Sequence, residues 1–385
     1  MFIEMIYPQS GPGAELVKII GKGFTDSIVV KFNNKSAKIK SVTEDLIITE
    51  VPKGAGSGNV SIELGEKKIE GPYFEYTPVN WTLEQEYASW LPRDSHVGLV
   101  YNNRLWVLGG WFSSFDTSFH DVWSSSDGKV WDLVNQSANW VHGDLPVSIV
   151  FKDKMWIMGG TNNGRLETSS QSNEIWSSKD GSNWTLENYA EWSPRFASEV
   201  IEFNGKLWLF GGQEALEKSP KNDIWFSEDG IHWKLGAEHA EWAPRSSHKA
   251  VVLNGKIYLF GGGVYTPEYN AYSDVWSSKD GIHWDLITEK APWHERLWPS
   301  VVVYRNRMWI MGGWSGGPYQ NWADVWYSIN GKDWKQLKTR NIWKERHAAA
   351  ANVFQDKIWI TGGNTDPLVN DVWSLYIPNE DWFAN

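Results

Sequence analysis

The chain has 385 residues, 28 tryptophans, no cysteine and a net charge of −11. Without cysteine there is no disulfide framework, no thiolate metal site and no thiol nucleophile. The acidic balance disfavours a general nucleic-acid binder, which needs a basic face. No apolar run is long enough to cross a membrane, and the opening residues lack the basic and apolar regions of a signal peptide.

Residues 1–77 hold no tryptophan. Short β-branched runs at Val29 to Phe32, Ala37 to Ile39, Leu46 to Thr49 and Val60 to Ile62 predict strands, separated by Gly-rich and Gly-Pro turns. About 75 residues of such strands fit a small immunoglobulin-like sandwich. In detail, Pro8, Gly11 and Pro12 lead to Val17 and Ile19, then Gly21, Gly23 and Phe24. Val30 and Phe32, Val51 and Pro52, and Gly58 and Val60 follow. This segment resembles the IPT/TIG family over its whole length. Such domains usually act as spacers or packing modules beside a larger domain.

From Trp81 the chain repeats. Gly-Gly pairs stand at Gly109, Gly159, Gly211, Gly261, Gly312 and Gly362, about every 50 residues, each closing a strand-like run. An inner strand follows a Trp-x-x-Arg segment, as at Trp242 to Arg245, and a second strand ends at Gly-Gly. A third carries an acidic-x-Trp head, as at Asp274 to Trp276, and a Ser-x-Asp-Gly turn leads to a fourth with its own tryptophan. Asp-Gly is a hairpin signal because glycine adopts positive φ cheaply. Four strands per unit at this period predict a β-propeller.

The repeats resemble kelch repeats over residues 81–376, of bacterial type, and the Ser-x-Asp-Gly turns resemble a shortened Asp-box. The expected fold is all-β: an immunoglobulin-like sandwich at 1–77, then a six-bladed kelch-like propeller at 78–385. Trp81 to Glu84 read as a fourth strand completing the last blade, whose third strand is Asp371 to Tyr376. That pairing removes an exposed sheet edge.

In such a propeller the Trp-x-x-Arg segments and the loops after Gly-Gly share one face. Arg93, Arg195, Arg245, Arg296 and Arg346 reach it. A guanidinium suits a ligand carboxylate, but a residue recurring in nearly every repeat is first a structural one. Departures from the repeat are more telling. Blade two has His142, Gly143 and Asp144 in place of Pro-Arg. Blade five has His294, Glu295 and Trp298, blade six Glu345 and His347, and blade one Asp94 and His96. These adjoin as one arc of carboxylates and imidazoles suited to acid–base chemistry. Glu295, Glu345, His142, Asp144, His294 and His347 are the candidate catalytic groups.

The loops after Gly-Gly add aromatics: Trp111, Phe112, Phe115 and Phe119, then Tyr265, Tyr269 and Tyr272, then Trp314, Tyr319 and Trp322. Their flat faces suit a sugar ring or a protein partner. Arg93, Arg296, Arg346, Trp111, Trp298, Trp314, Tyr319 and Trp322 are the candidate substrate-binding residues. No His-x-x-x-His spacing appears, so no metal or other cofactor is expected.

Bacterial kelch propellers resembling this chain include a sialic-acid mutarotase and propellers of glycan-processing systems. The resemblance implies a carbohydrate-recognising or carbohydrate-processing protein, acting on an acidic sugar, in the periplasm, at the cell surface or secreted. The alternative is a non-catalytic protein-interaction scaffold. The cysteine-dependent copper-radical chemistry of the kelch-like galactose oxidase is excluded by composition.

Overall fold

The computed structural model describes residues 1–77, 79–112, 117–162, 169–216, 218–266, 268–317 and 319–378. The described residues form strands and turns, with no helix. They divide into two compact units. One takes in 1–82 with 338–342 and 375–385, the other 83–337 with 343–374.

In the N-terminal segment two sheets enclose one core. The first pairs Phe2–Tyr7, Leu16–Lys22, Leu46–Glu50 and Lys38–Val42. The second runs from Ser10–Gly11 through Lys67–Tyr76, Gly58–Leu64 and Val29–Phe32 to Lys35–Ser36. Alternation sends Val17 and Ile19 of one sheet, and Val30 and Phe32 of the other, into a cluster with Ile47, Val60, Ile62 and Phe74. The four predicted strands all appear, with ends shifted by a few residues.

The repeats form six four-stranded antiparallel sheets among the described residues. In the first, Val97–Tyr101, Arg104–Leu108, Val122–Ser125 and Asp132–Asn135 pair in chain order. The sheet of the sixth repeat takes its outer strand from the opposite end of the repeat region: Trp81–Gln85 lies beside Leu368–Leu375, which pairs with Lys357–Asn364 and then Ala350–Phe354. Glu84, only 5% exposed, fixes that register by accepting from Ser374 Oγ (2.6 Å) and Lys357 Nζ (2.9 Å).

The repeat signature is explained by packing between sheets. Gly159 and Gly160 both have positive φ, and a Cβ on Gly159 would lie 2.8 Å from the carbonyl oxygen of Arg195 in the next repeat. The Gly160 N–H donates to that same oxygen at 2.9 Å. The hairpin glycines meet an indole instead: a Cβ on Gly281 would lie 2.7 Å from the Trp208 ring of the preceding repeat. In the first four hairpins an aspartate caps the turn, as Asp280 Oδ1 does by accepting from the N–H groups of Ile282 and His283, and Asn330 does the same in the fifth.

One feature of the fold has no sequence signature. Two residues beyond the arginine position, Ser95, Leu145, Ala197, Ser247, Trp298 and Ala348 all adopt φ between 51° and 57°. Each N–H donates to the carbonyl of the preceding member, and Ser95 donates to Ala348, at 2.8–3.2 Å. The innermost segments are thus joined in a cycle of backbone hydrogen bonds around a channel of about 210 Å³.

Candidate functional site

The five arginines are fully occupied within their own repeats. Arg93 is 0% exposed and grips Asp121 through both terminal nitrogens, at 2.6 and 2.8 Å. Its Nη1 and Nε also donate to the carbonyls of Gly109 and Leu91. Arg195 pairs in the same way with Asp223, Arg245 with Asp274, Arg296 with Asp324 and Arg346 with Asp371. The third-strand tryptophan donates to the same carboxylate, as Trp276 Nε1 does to Asp274 at 2.7 Å. Phe119 and Tyr272 lie against Arg93 and Arg245, with ring centres 4.3 and 4.4 Å from the guanidinium carbon. Burial alone would raise the Asp324 carboxyl, but the Arg296 pair and the Trp326 donor hold it below its ordinary value. Arg93, Arg296 and Arg346, expected to bind substrate, thus turn the bidentate face of the guanidinium to an aspartate of their own repeat.

The acid–base arc is likewise dispersed. Of its eight groups, His96 lines the channel and Glu295 an outer cleft; the other six line neither. Glu345 is exposed. His294 stacks on Trp322, with ring centres 4.1 Å apart. His142 Nε2 lies 3.2 Å from Ser170 Oγ and its Nδ1 3.5 Å from Glu174, and burial holds it below the usual histidine range. The second repeat has Gly143 at the arginine position, and Glu174, at the place of the partner carboxylate, faces His142 instead. Asp94 and Asp144 are buried. His347 Nδ1–H donates to Asn321 Oδ1 (2.6 Å), Asn321 Nδ2 to Asn364 O and Asn364 Nδ2 to Asp94 Oδ2 (3.1 Å). These bonds tie the fifth, sixth and first repeats together at the loop face.

The aromatics do converge. Most tryptophans stand at four recurring repeat positions, but Trp111, Trp298, Trp314 and Trp322 do not. Trp298 belongs to the backbone cycle and is 7% exposed. Its ring centre lies 5.3 Å from Tyr265, 6.0 Å from Trp314 and 5.4 Å from His347. Trp314 continues outward to Tyr269 (5.4 Å, edge to face) and Tyr319 (5.6 Å). Tyr319 is 86% exposed. Trp322 instead covers Arg296 and donates to Ser315 Oγ. Trp111 pairs with Ser118 in the extension of the first repeat, and Phe115 lies outside the described residues.

Beside this aromatic group opens a cleft of about 550 Å³, within the size range of small-ligand sites. Tyr269, Tyr272 and Trp276 contribute aromatic surface, and Glu289, Lys290 and Glu295 contribute charge. The extension Gly263–Val264 with Asn270–Ala271 supplies part of its wall, and the next one, Trp314–Gly316 with Tyr319–Asn321, backs the Tyr269 ring. Gly316 lets the Tyr269 ring lie on its backbone, since a Cβ there would fall 2.6 Å from that ring. Burial, and then the Glu295 charge, push the Tyr269 phenol up. Among the described residues no group of three or more His, Asp or Glu is placed to hold a metal ion.

Residues 197–384 match the family model described as the KLHDC2/KLHL20/DRC7 Kelch-repeats domain, and residues 1–77 match the IPT/TIG domain. The chain carries an IPT/TIG domain and a kelch-repeat domain. No curated protein matches the sequence. Among solved structures the chain is similar to one titled "Structure of YjhT", at 13% identity and a TM-score of 0.62, over 77% of this chain and 98% of that one. At that identity the likeness concerns the fold alone.

Within the kelch repeats, sequence reasoning named Tyr269, Tyr272 and Glu295 of the cleft but missed Glu289 and Lys290. Nothing marks Glu289 in the repeat, because Glu86 and Glu238 stand at the same place after their fourth-strand tryptophans. The channel pair was also missed. Lys249 Nζ lies 3.0 Å from Glu199, and burial pushes that carboxyl up.

Proposed function

We propose that this chain is a carbohydrate-recognising protein in which an IPT/TIG-like sandwich (1–77) precedes a six-bladed kelch propeller (78–385), closed by the strand at Trp81–Gln85. The glycan sits in the cleft beside Tyr269. The observation that carries this reading is the joining of the edge-packed Tyr265, Tyr269, Trp314 and Tyr319 group, through Tyr269, to a concave, polar-edged cleft. A flat aromatic patch would favour a protein partner, whereas a rigid ring beside a cleft with carboxylates suits C–H faces and hydroxyls together. The role is recognition, because the carboxylates and imidazoles of the arc do not meet in one cavity. Such binding belongs outside the cytoplasm, where free glycans are met.

The scaffold reading has one observation in its favour, the outward Tyr319 at 86% exposure. Titration calorimetry of the full chain with oligosaccharides separates the two. Glycan recognition requires saturable binding that Tyr269→Ala weakens about tenfold or more, as for an anchoring aromatic. Loss of protein capture by Tyr319→Ala with no glycan binding would instead support the scaffold.

A further inference from the structure

The glycan reading leaves the ligand's charge open, and the distribution of fixed charge decides it. An acidic sugar needs a free cation, preferably a planar guanidinium that can take a carboxylate by two parallel bonds. The five repeat arginines each spend that face on an aspartate.

The cleft itself is lined by one cation, Lys290, against three carboxylates, Asp274, Glu289 and Glu295. Asp274 is neutralised by Arg245 and also accepts from Trp276. Glu289, Lys290 and Glu295 are exposed, and their charged groups make no hydrogen bond or ion pair with another described residue. The charge left for a ligand is therefore negative. It stands beside Tyr269, whose ring is fixed by Trp314 and by the bare backbone of Gly316.

Resting on the glycan reading above, we infer that the cleft selects a sugar bearing free amino groups over an acidic one. The protonated amine is held by Glu289 and Glu295, and the sugar's C–H face lies on Tyr269. An ammonium there gains charge-assisted hydrogen bonds and the attraction of an aromatic face. A carboxylate in the same place meets like charge with no bidentate donor to answer it. Lys290 tempers the preference without reversing it.

The test is calorimetric titration of the full chain at pH 6 with three oligomers: glucosamine, N-acetylglucosamine and galacturonic acid. The glucosamine oligomer is expected to bind about tenfold more tightly than its N-acetylated counterpart at low salt, with the gap closing in 1 M salt. The Glu289→Gln, Glu295→Gln double variant is expected to lose that preference while keeping its melting temperature. Each single variant is expected to lose part of it. Galacturonate binding as tight as glucosamine, or a preference unchanged in the double variant, overturns the inference and leaves glycan recognition standing. Absence of binding by all three oligomers sinks the glycan reading itself, and this inference with it.

Discussion

His96 gives a quantitative account of how the kelch-repeat domain responds to acid. It is 6% exposed and lies between sheets, with Nε2 3.1 Å from Thr361 Oγ1. Burial, and then the Arg93 charge, hold its pKa down at about 3, against 6.5 for a free histidine; Asp121 and Thr361 oppose the shift only in part. Between those values the unfolded chain carries a proton that the folded chain refuses. The stabilisation is complete above pH 6.5 and is lost as pH falls toward 3. At pH 5 the difference amounts to about 2 kcal/mol, or about 4 °C in melting temperature for a domain of this size. Melting curves of the wild type and His96→Gln at pH 7 and pH 5 measure it. The variant is expected to start lower and to lose about 4 °C less between the two values. Equal slopes in the two proteins would refute the argument, because the proton uptake would then arise elsewhere.

Further expectations concern the repeat and the cleft. His248 is wholly buried, and neither ring nitrogen has a hydrogen-bond partner among the described residues. His248→Phe is therefore expected to keep or raise stability at pH 7 and to flatten its loss toward pH 5, checked by the same melts. Asp223→Ala strands the buried Arg195 and should cost about 3–5 kcal/mol. Arg195→Met with Asp223→Leu should cost less than the single change, and chemical denaturation would show the reverse if the pair were inert. Gly281→Val places a side chain against Trp208 at a φ of +85° and should cost at least about 2 kcal/mol by the same assay. Tyr319→Ala should leave melting unchanged within about 1 °C, since exposed changes rarely matter to stability.

The architecture is legible in the sequence because nearly every repeat spends the same residues on the same local problem. Glycine pairs answer a close backbone approach, Asp-Gly turns answer a hairpin, and Trp-x-x-Arg with Asp-x-Trp answers a buried charge with a bidentate partner. Each is local or recurs at a fixed spacing, so a single chain displays it four to six times over. Trp298 and Trp314 were legible as candidates, and Tyr269 as a loop aromatic, for the opposite reason, since they break the pattern.

What those candidates face is set by the folded chain. The arginines that looked available for a ligand carboxylate are consumed by aspartates 25 to 29 residues further on. The histidines and glutamates that looked like one arc turn toward different neighbours: Trp322, Glu174, Asn321 or solvent. Glu289 joins Tyr269 and Glu295 because the loop after the fourth sheet folds back beside that sheet's own extension. Side-chain direction and the approach of separate loops are set by packing across repeats. No spacing within one repeat encodes them.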